Sequence, residues 1–379
     1  MEMTSRLLCG SAQSMDKVPD ASVDLIVTSP PYPMVAMWDD VFVSQDGRIG
    51  DRLARGEGRA AFDLMHQLLD TAWEECSRVL KPGGLACINI GDATRTLDGD
   101  FQLYSNHSRI LGFFLGHGFA ALPDILWRKQ TNAPNKFMGS GMLPVGAYVT
   151  YEHEYILVLR KGRRRRFDKE AEKDRRRESA FFWEERNVWF SDMWFDIKGI
   201  DQRLVNTAAR ERSGAFPFEL AYRLICMFSI KGDTVLDPFA GTGTTLVAAL
   251  ASGRNSLGIE IDDTLLPVAR TFMEAAPRIA GEYNQRRLVR HQNWVRTRTA
   301  EHGPLKYANR HYGFPVMTAQ EQHLLLDDIT GIGIVPEKEG VTVWAQYGEE
   351  ARSGAASWLA NAAKKPPIRK QNTQVQLQL

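Results

Sequence analysis

The sequence predicts an α/β fold, a mostly parallel twisted sheet with helices on both faces. Three observations carry this. The run Val23-Asp24-Leu25-Ile26-Val27-Thr28 reads as a buried strand stopped at Pro30. A helical pattern and a second buried strand at 85–90 follow it, which makes a βαβ unit. Much later, a strand at 234–237 leads into a glycine loop, a helix and a further strand at 256–260.

The elements follow in order. Residues 33–58 contain Gly47, Gly50, Gly56 and Gly58 and read as a long mobile loop. Met65, Leu68, Leu69, Ala72, Trp73, Cys76, Val79 and Leu80 recur at helical spacing. Lys81-Pro82-Gly83-Gly84 ends that helix before the strand 85–90. Residues 104–117 suggest a helix, 120–128 a strand, and 154–159 a strand that closes the first half. From Lys161 to Glu178 basic residues outnumber the acids interleaved with them, and an aromatic-rich stretch comes next. A helix carries Leu220, Leu224, Ile225 and Phe228; helices at 246–252 and 263–275 flank the strand 256–260. Beyond about residue 280 the periodic signal weakens, leaving a basic-aromatic stretch at 286–298 and a polar tail.

Composition excludes several classes. Of 379 residues, 44% are hydrophobic and 25% charged, too apolar for a disordered chain. Forty-seven Lys+Arg against 46 Asp+Glu leave a net charge of +1, so any nucleic-acid surface is a local patch. No apolar run approaches the roughly 18 residues of a membrane helix, and residues 1–6 lack a signal-peptide core. Cys9, Cys76, Cys87 and Cys226 form no Cys-x-x-Cys pair, which fits a reducing cytoplasm, and the histidines form no metal-spaced cluster, so no metal is expected.

Two motifs carry chemistry. In Phe239-Ala240-Gly241-Thr242-Gly243, between strand and helix, the glycines allow a sharp turn and close approach to a ligand. No Lys completes a phosphate-binding P-loop. Glu260, at the end of the next strand, is placed to accept hydrogen bonds from ribose hydroxyls. The pattern describes a nucleoside-cofactor site, for a nicotinamide dinucleotide or for S-adenosylmethionine. The second motif is Ser29-Pro30-Pro31-Tyr32, at the end of a buried strand where an open α/β sheet places its ligand crevice. The Pro30 carbonyl, fixed by the two prolines, is a rigidly aimed acceptor, Ser29 offers a second oxygen, and Tyr32 a flat face. That set suits a planar ring bearing an exocyclic NH2 group.

Thr28-Ser29-Pro30-Pro31-Tyr32 followed by Asp237-Pro238-Phe239-Ala240-Gly241-Thr242-Gly243 resembles the DNA amino-methyltransferases, and the motif order resembles their permuted β class. Arg78-Val79-Leu80-Lys81-Pro82-Gly83-Gly84, Leu126-Trp127-Arg128-Lys129 with Asn132, Glu152-His153-Glu154-Tyr155, Phe216-Pro217 and Gly258-Ile259-Glu260 extend the match over roughly residues 5–160 and 205–275. The resemblance implies a circularly permuted, Rossmann-like methyltransferase fold. Residues 1–160 would be its catalytic half, 161–206 an inserted target-recognition segment, 207–280 its cofactor half and 281–379 an extension without assigned role.

It implies that Ser29, Pro30, Pro31 and Tyr32 are the catalytic tetrapeptide. S-adenosylmethionine would be bound by Thr28, Phe216, Pro217, Asp237, Phe239, Ala240, Gly241, Thr242, Gly243, Thr244 and Glu260. Trp127, Lys129, Asn132, Arg163, Arg164, Arg165 and Arg166 are candidate contacts to double-stranded DNA. Ser at the first tetrapeptide position resembles the N4-cytosine subgroup, and Asp the N6-adenine one. The implied partners are duplex DNA and a cognate restriction endonuclease, with the chain a cytoplasmic, nucleoid-associated monomer or homodimer. Cytosine C5 chemistry, which needs a Pro-Cys nucleophile, is disfavoured because no Cys follows a Pro. The rival readings are N6-adenine methylation by the same site, methylation of RNA or protein glutamine, and a non-catalytic DNA-binding module.

Overall fold

The computed structural model describes residues 1–129, 138–198 and 216–348. Its centre is one eleven-stranded sheet. In chain order the strands are β1 (Glu2–Cys9), β2 (Val23–Thr28), β3 (Leu80–Ile90), β4 (Phe119–Ala121), β5 (Ile125–Arg128), β6 (His153–Lys161), β7 (Met193–Trp194), β8 (Thr234–Asp237), β9 (Asn255–Glu260), β10 (Ile329–Glu337) and β11 (Gly340–Tyr347). They lie in the order β7-β5-β6-β3-β2-β8-β9-β1-β11-β10, with β4 also paired to β6. The middle five, β3-β2-β8-β9-β1, are parallel. Next to them, β6 and β11 run antiparallel.

All six residues of β2 are buried, as a strand covered on both faces requires. Leu25 and Val27 join one core and Ile26 the other. The helix Gly58–Val79 covers one face through Phe62, Met65, Leu69, Trp73 and Cys76. The helices Phe218–Phe228 and Thr244–Ala251 cover the other. Such two-sided cover leaves the loops at the carboxyl ends of β2, β3, β8 and β9 as the free rim.

Several expectations change. Residues 33–58 are not a loop: they hold helices Asp39–Gln45 and Arg48–Ala54. Phe42 and Ile49, seven residues apart and both buried, anchor them to the core despite the surrounding glycines. Lys81-Pro82-Gly83-Gly84 lies within β3 as an irregularity: Val23 pairs with Leu80, but Leu25 already pairs with Leu85. The stretch 120–128 is two short strands, interrupted around Pro123. The strand β1 had no sequence signal because its exposed positions are polar and its buried ones include Ser5. Past residue 280 the described residues, up to 348, also form regular elements. The helix Ala276–His302 packs on the sheet, and β10 and β11 extend it beyond β1.

Candidate active site

A cleft of about 920 Å3 opens at the carboxyl ends of β2, β8 and β9. Its wall includes Ser29, Pro30, Pro31 and Tyr32 on one side and Phe239, Ala240, Gly241 and Glu260 on the other. The two motifs, some two hundred residues apart in the chain, therefore face one space.

On the tetrapeptide side the Tyr32 hydroxyl is the centre of a polar cluster. It donates to Glu154 Oε2 at 3.0 Å, receives Asn89 Nδ2 at 2.9 Å and lies 3.1 Å from Ser29 Oγ. Asn89 Nδ2 also reaches Glu154 Oε2 at 2.7 Å, and Lys129 Nζ reaches Glu154 Oε1 at 2.8 Å. Burial and the neighbouring Glu154 carboxylate push the Tyr32 phenol well above its ordinary range, so it stays protonated. Gly91 makes room for the ring: a Cβ there would stand 3.0 Å from Tyr32 Cε2. Behind the loop, buried Asn106 donates to the carbonyls of Pro33 at 3.1 Å and Gly91 at 2.9 Å, and its Oδ1 lies 3.0 Å from His66 Nε2. With both amide hydrogens used, Asn106 Oδ1 is the acceptor and His66 the donor. Burial holds His66 neutral, its pKa lowered to about 3.

On the other side, Gly241 adopts φ +51° and Gly243 φ +79°, where L side chains are strained. A Cβ on Gly241 would meet nothing within 4 Å, so its backbone faces open cleft. Gly258 serves packing, since a Cβ there would stand 2.9 Å from Ala240 Cβ. Glu260 accepts Gly241 N at 2.7 Å and Asp262 N at 2.9 Å, and burial raises its pKa. The Ile261 backbone N–H also acts on the carboxylate, which keeps lone-pair capacity for a further donor.

Asp237 has a supporting place at the cleft floor. It accepts Thr28 Oγ1 and Thr245 Oγ1 at 2.6 Å each and Phe239 N at 3.1 Å, riveting β2 to the glycine loop. Burial pushes its pKa up to about 6. Phe216 and Thr244 line the cleft. Thr28 is wholly buried with its hydroxyl spent on Asp237, and Thr242, Gly243 and Pro217 stand behind the wall rather than in it. These four therefore stand next to the lining of the cleft and shape it from behind.

The DNA candidates divide. Lys129 lines the cleft. Trp127 does not: it is a core residue, 1% exposed, donating from Nε1 to the Ile197 carbonyl at 2.9 Å. Asn132 lies outside the described residues. The run Arg163–Arg166 sits at the opposite ends of the strands. Arg165 bridges Asp233 at 2.8 Å and Asp24 at 3.4 Å, the residue just before β8 and the second residue of β2, about 15–20 Å of strand away from the cleft. Arg165 is thus a structural clamp, while Arg163, Arg164 and Arg166 are exposed. In the stretch 286–298, Arg287 is also buried, paired with Glu185 at 2.6 Å.

Sequence reasoning gave no site role to two members of the cluster, Asn89, which it did not single out, and Glu154, which it named only within a matching segment. Both are polar residues within apolar strands and both are buried. A buried polar side chain in such a run is the signal that could have found them.

Comparisons with known proteins identify the family. The family model for N6/N4 DNA methylases matches residues 23–271. The chain belongs to that family. It is 48% identical over 327 residues to the type II methyltransferase M.MthZI of Methanothermobacter thermautotrophicus, covering 86% of this chain and 91% of the relative. It is 48% identical over 274 residues to the type II methyltransferase M.MjaI of Methanocaldococcus jannaschii, covering 69% and 89%. Among solved structures, TTHA0409 of Thermus thermophilus, named as a DNA modification methylase and crystallised with S-adenosyl-L-methionine, superposes with a TM-score of 0.56 at 33% identity, over 72% of this chain and 95% of that one. The protein is a type II DNA methyltransferase of the N4/N6 family, and S-adenosylmethionine is its cofactor. The cleft fits that group: open backbone at Gly241, a carboxylate at Glu260 and apolar walls at Phe216 and Phe239. No helix among the described residues is long and apolar enough to cross a membrane.

Proposed function

We propose that this methyltransferase acts on the N4 amine of a cytosine flipped out of duplex DNA, as the modification partner of a restriction endonuclease in the cytoplasm. The observation that carries the reading is Ser29: a neutral hydroxyl heads the tetrapeptide and lines the cleft. Its resemblance is to the N4-cytosine subgroup rather than to the Asp-headed adenine one.

In this reading Glu260 takes the ribose hydroxyls, and Phe216, Phe239 and the open backbone at Gly241 embrace the rest of the cofactor. S-adenosylmethionine, when bound, supplies an electrophilic methyl on its sulfonium. An exocyclic amine is a poor nucleophile because its lone pair is delocalised into the ring. Ser29 Oγ and the Pro30 carbonyl accept its two hydrogens, which lets the nitrogen become tetrahedral and aim that lone pair. Alignment of two bound reactants supplies roughly 7–11 kcal/mol of the barrier. Flipping costs a few kcal/mol, and stacking on Tyr32 holds the base out. Lys129 lines the cleft and in this reading its ammonium meets the DNA.

Methylation-sensitive sequencing of DNA from cells expressing the protein reports base and site together. N4-methylcytosine at one short sequence is expected. N6-methyladenine in its place would transfer the same site to the adenine reading.

A further inference from the structure

Hydrogen-bond accounting fixes the direction of every proton in the cluster beside the tetrapeptide. Glu154, 7% exposed and paired with Lys129, accepts and cannot donate. The Tyr32 hydroxyl has one hydrogen, and it goes to Glu154 Oε2 at 3.0 Å. Asn89 Nδ2 also points its hydrogens at Tyr32 and at Glu154. Tyr32 Oη is therefore an acceptor toward Ser29, 3.1 Å away. In this arrangement the single hydrogen of Ser29 has Tyr32 as its acceptor, and while it is so used Ser29 Oγ meets the cleft with lone pairs only.

We propose that Glu154 is a specificity-determining positioning residue: through Tyr32 it polarises the Ser29 hydroxyl so that the site accepts a base bearing an amine and rejects its carbonyl counterpart. The proposal rests on the reading that Ser29 meets the exocyclic amine, and it holds for cytosine or adenine alike. A free serine hydroxyl could turn and donate to a carbonyl as readily as accept from an amine. The buried carboxylate biases that choice, because turning the Ser29 hydrogen into the cleft gives up its bond to Tyr32. The raised pKa of Tyr32 supports the arrangement, because a protonated phenol must spend its hydrogen on Glu154. Leaving site groups unpaired is what makes a polar pocket reject the wrong partner.

Glu154→Gln reverses the chain. Lys129 keeps the amide oxygen of the glutamine, which turns its NH2 group toward Tyr32. Asn89 can turn over to accept, since its Oδ1 has no hydrogen-bond partner in the present arrangement. Tyr32 is then free to donate to Ser29, and Ser29 to donate into the cleft.

The test measures affinity for two duplexes with S-adenosylhomocysteine bound, so that no turnover occurs. One carries the mapped target base, the other its deaminated counterpart. The wild-type protein is expected to prefer the amine, and Glu154→Gln to reduce that preference at least tenfold. Tyr32→Phe, which cuts the chain and keeps the ring, is expected to reduce it as well. Calorimetric binding of S-adenosylhomocysteine confirms that both variants are folded. If each variant weakens both duplexes equally, Glu154 only supports the loop and the proposal is overturned. If Ser29→Ala also leaves the preference intact, the reading of Ser29 itself fails. If Ser29→Ala removes the preference and Glu154→Gln does not, only the present proposal fails.

Discussion

The hydroxyl of Tyr32 and the carboxylate of Glu154 meet at 3.0 Å across 122 residues of chain. Tyr32 follows the end of β2, and Glu154 lies in β6 beyond β3, so the contact spans three strands of the sheet. It fixes the ring that is proposed to hold the flipped base. Tyr32→Ala removes that face and is expected to weaken capture of the target base by about 1–3 kcal/mol, the usual worth of a base–aromatic stack. Fluorescence of a 2-aminopurine placed at the target position reports flipping directly. Undiminished flipping in the variant would show that another surface holds the base.

Gly241 belongs to the cofactor half of the cleft, with φ +51° and open space where a side chain would project. Gly241→Val places a branched side chain in that space and strains the turn by about 1–2 kcal/mol. S-adenosylmethionine binding, followed by calorimetry, is expected to disappear while the thermal transition remains cooperative. A folded variant with ordinary cofactor affinity would remove the glycine loop from the binding site.

Much of this site was legible in the sequence because its parts are local. Ser29 to Tyr32 and Phe239 to Gly243 each sit on a strand end, and a strand of apolar residues bounded by Pro or Gly announces itself. The strand β8 was predicted with its observed limits, 234–237. What escaped depends on pairing between distant segments. The strand β1 is polar on one side and acquires its place only from β9 and β11. Asn89 and Glu154 gain meaning only when β3 and β6 lie side by side. Arg165 follows the same rule: the charge of the run 161–177 is local information, but the acids that set this one arginine apart, Asp24 and Asp233, are far away in sequence.

Arg165 and its neighbours therefore differ. Arg165→Ala leaves buried Asp233 without its cation, and losing a hydrogen bond to a charged group costs about 1.5–3 kcal/mol. Arg164→Ala and Arg166→Ala, at exposed positions, are expected to change stability by less than about 0.5 kcal/mol. Urea denaturation of the three variants checks the contrast. Equal stabilities would contradict the clamp.

Asp237 gives a pH signature. Its folded pKa, about 6, lies above the ordinary carboxyl value of 3.8 because burial outweighs the hydrogen bonds from Thr245, Thr28 and Phe239. The folded protein then binds the proton more tightly than the unfolded chain. The stabilisation is full below about pH 4 and is lost as pH rises through 6, a change on the order of 3 kcal/mol. Asp237→Asn cannot titrate. The stability difference, wild type minus variant, is expected to fall by that order between pH 4 and 7. A difference that stays flat across the window would mean that Asp237 is not raised.

The central claim is that Ser29 serves transfer to a cytosine amine. The most direct measurement supplies the purified protein with methyl-labelled S-adenosylmethionine and duplex DNA, digests the product to nucleosides and identifies the labelled one by mass. Label is expected in N4-methylcytosine. Ser29→Ala is expected to lower the single-turnover rate about 100- to 1000-fold, as losing one preorganised contact does. Label in N6-methyladenine would contradict the choice of base, and an undiminished rate in Ser29→Ala would contradict the role of the hydroxyl.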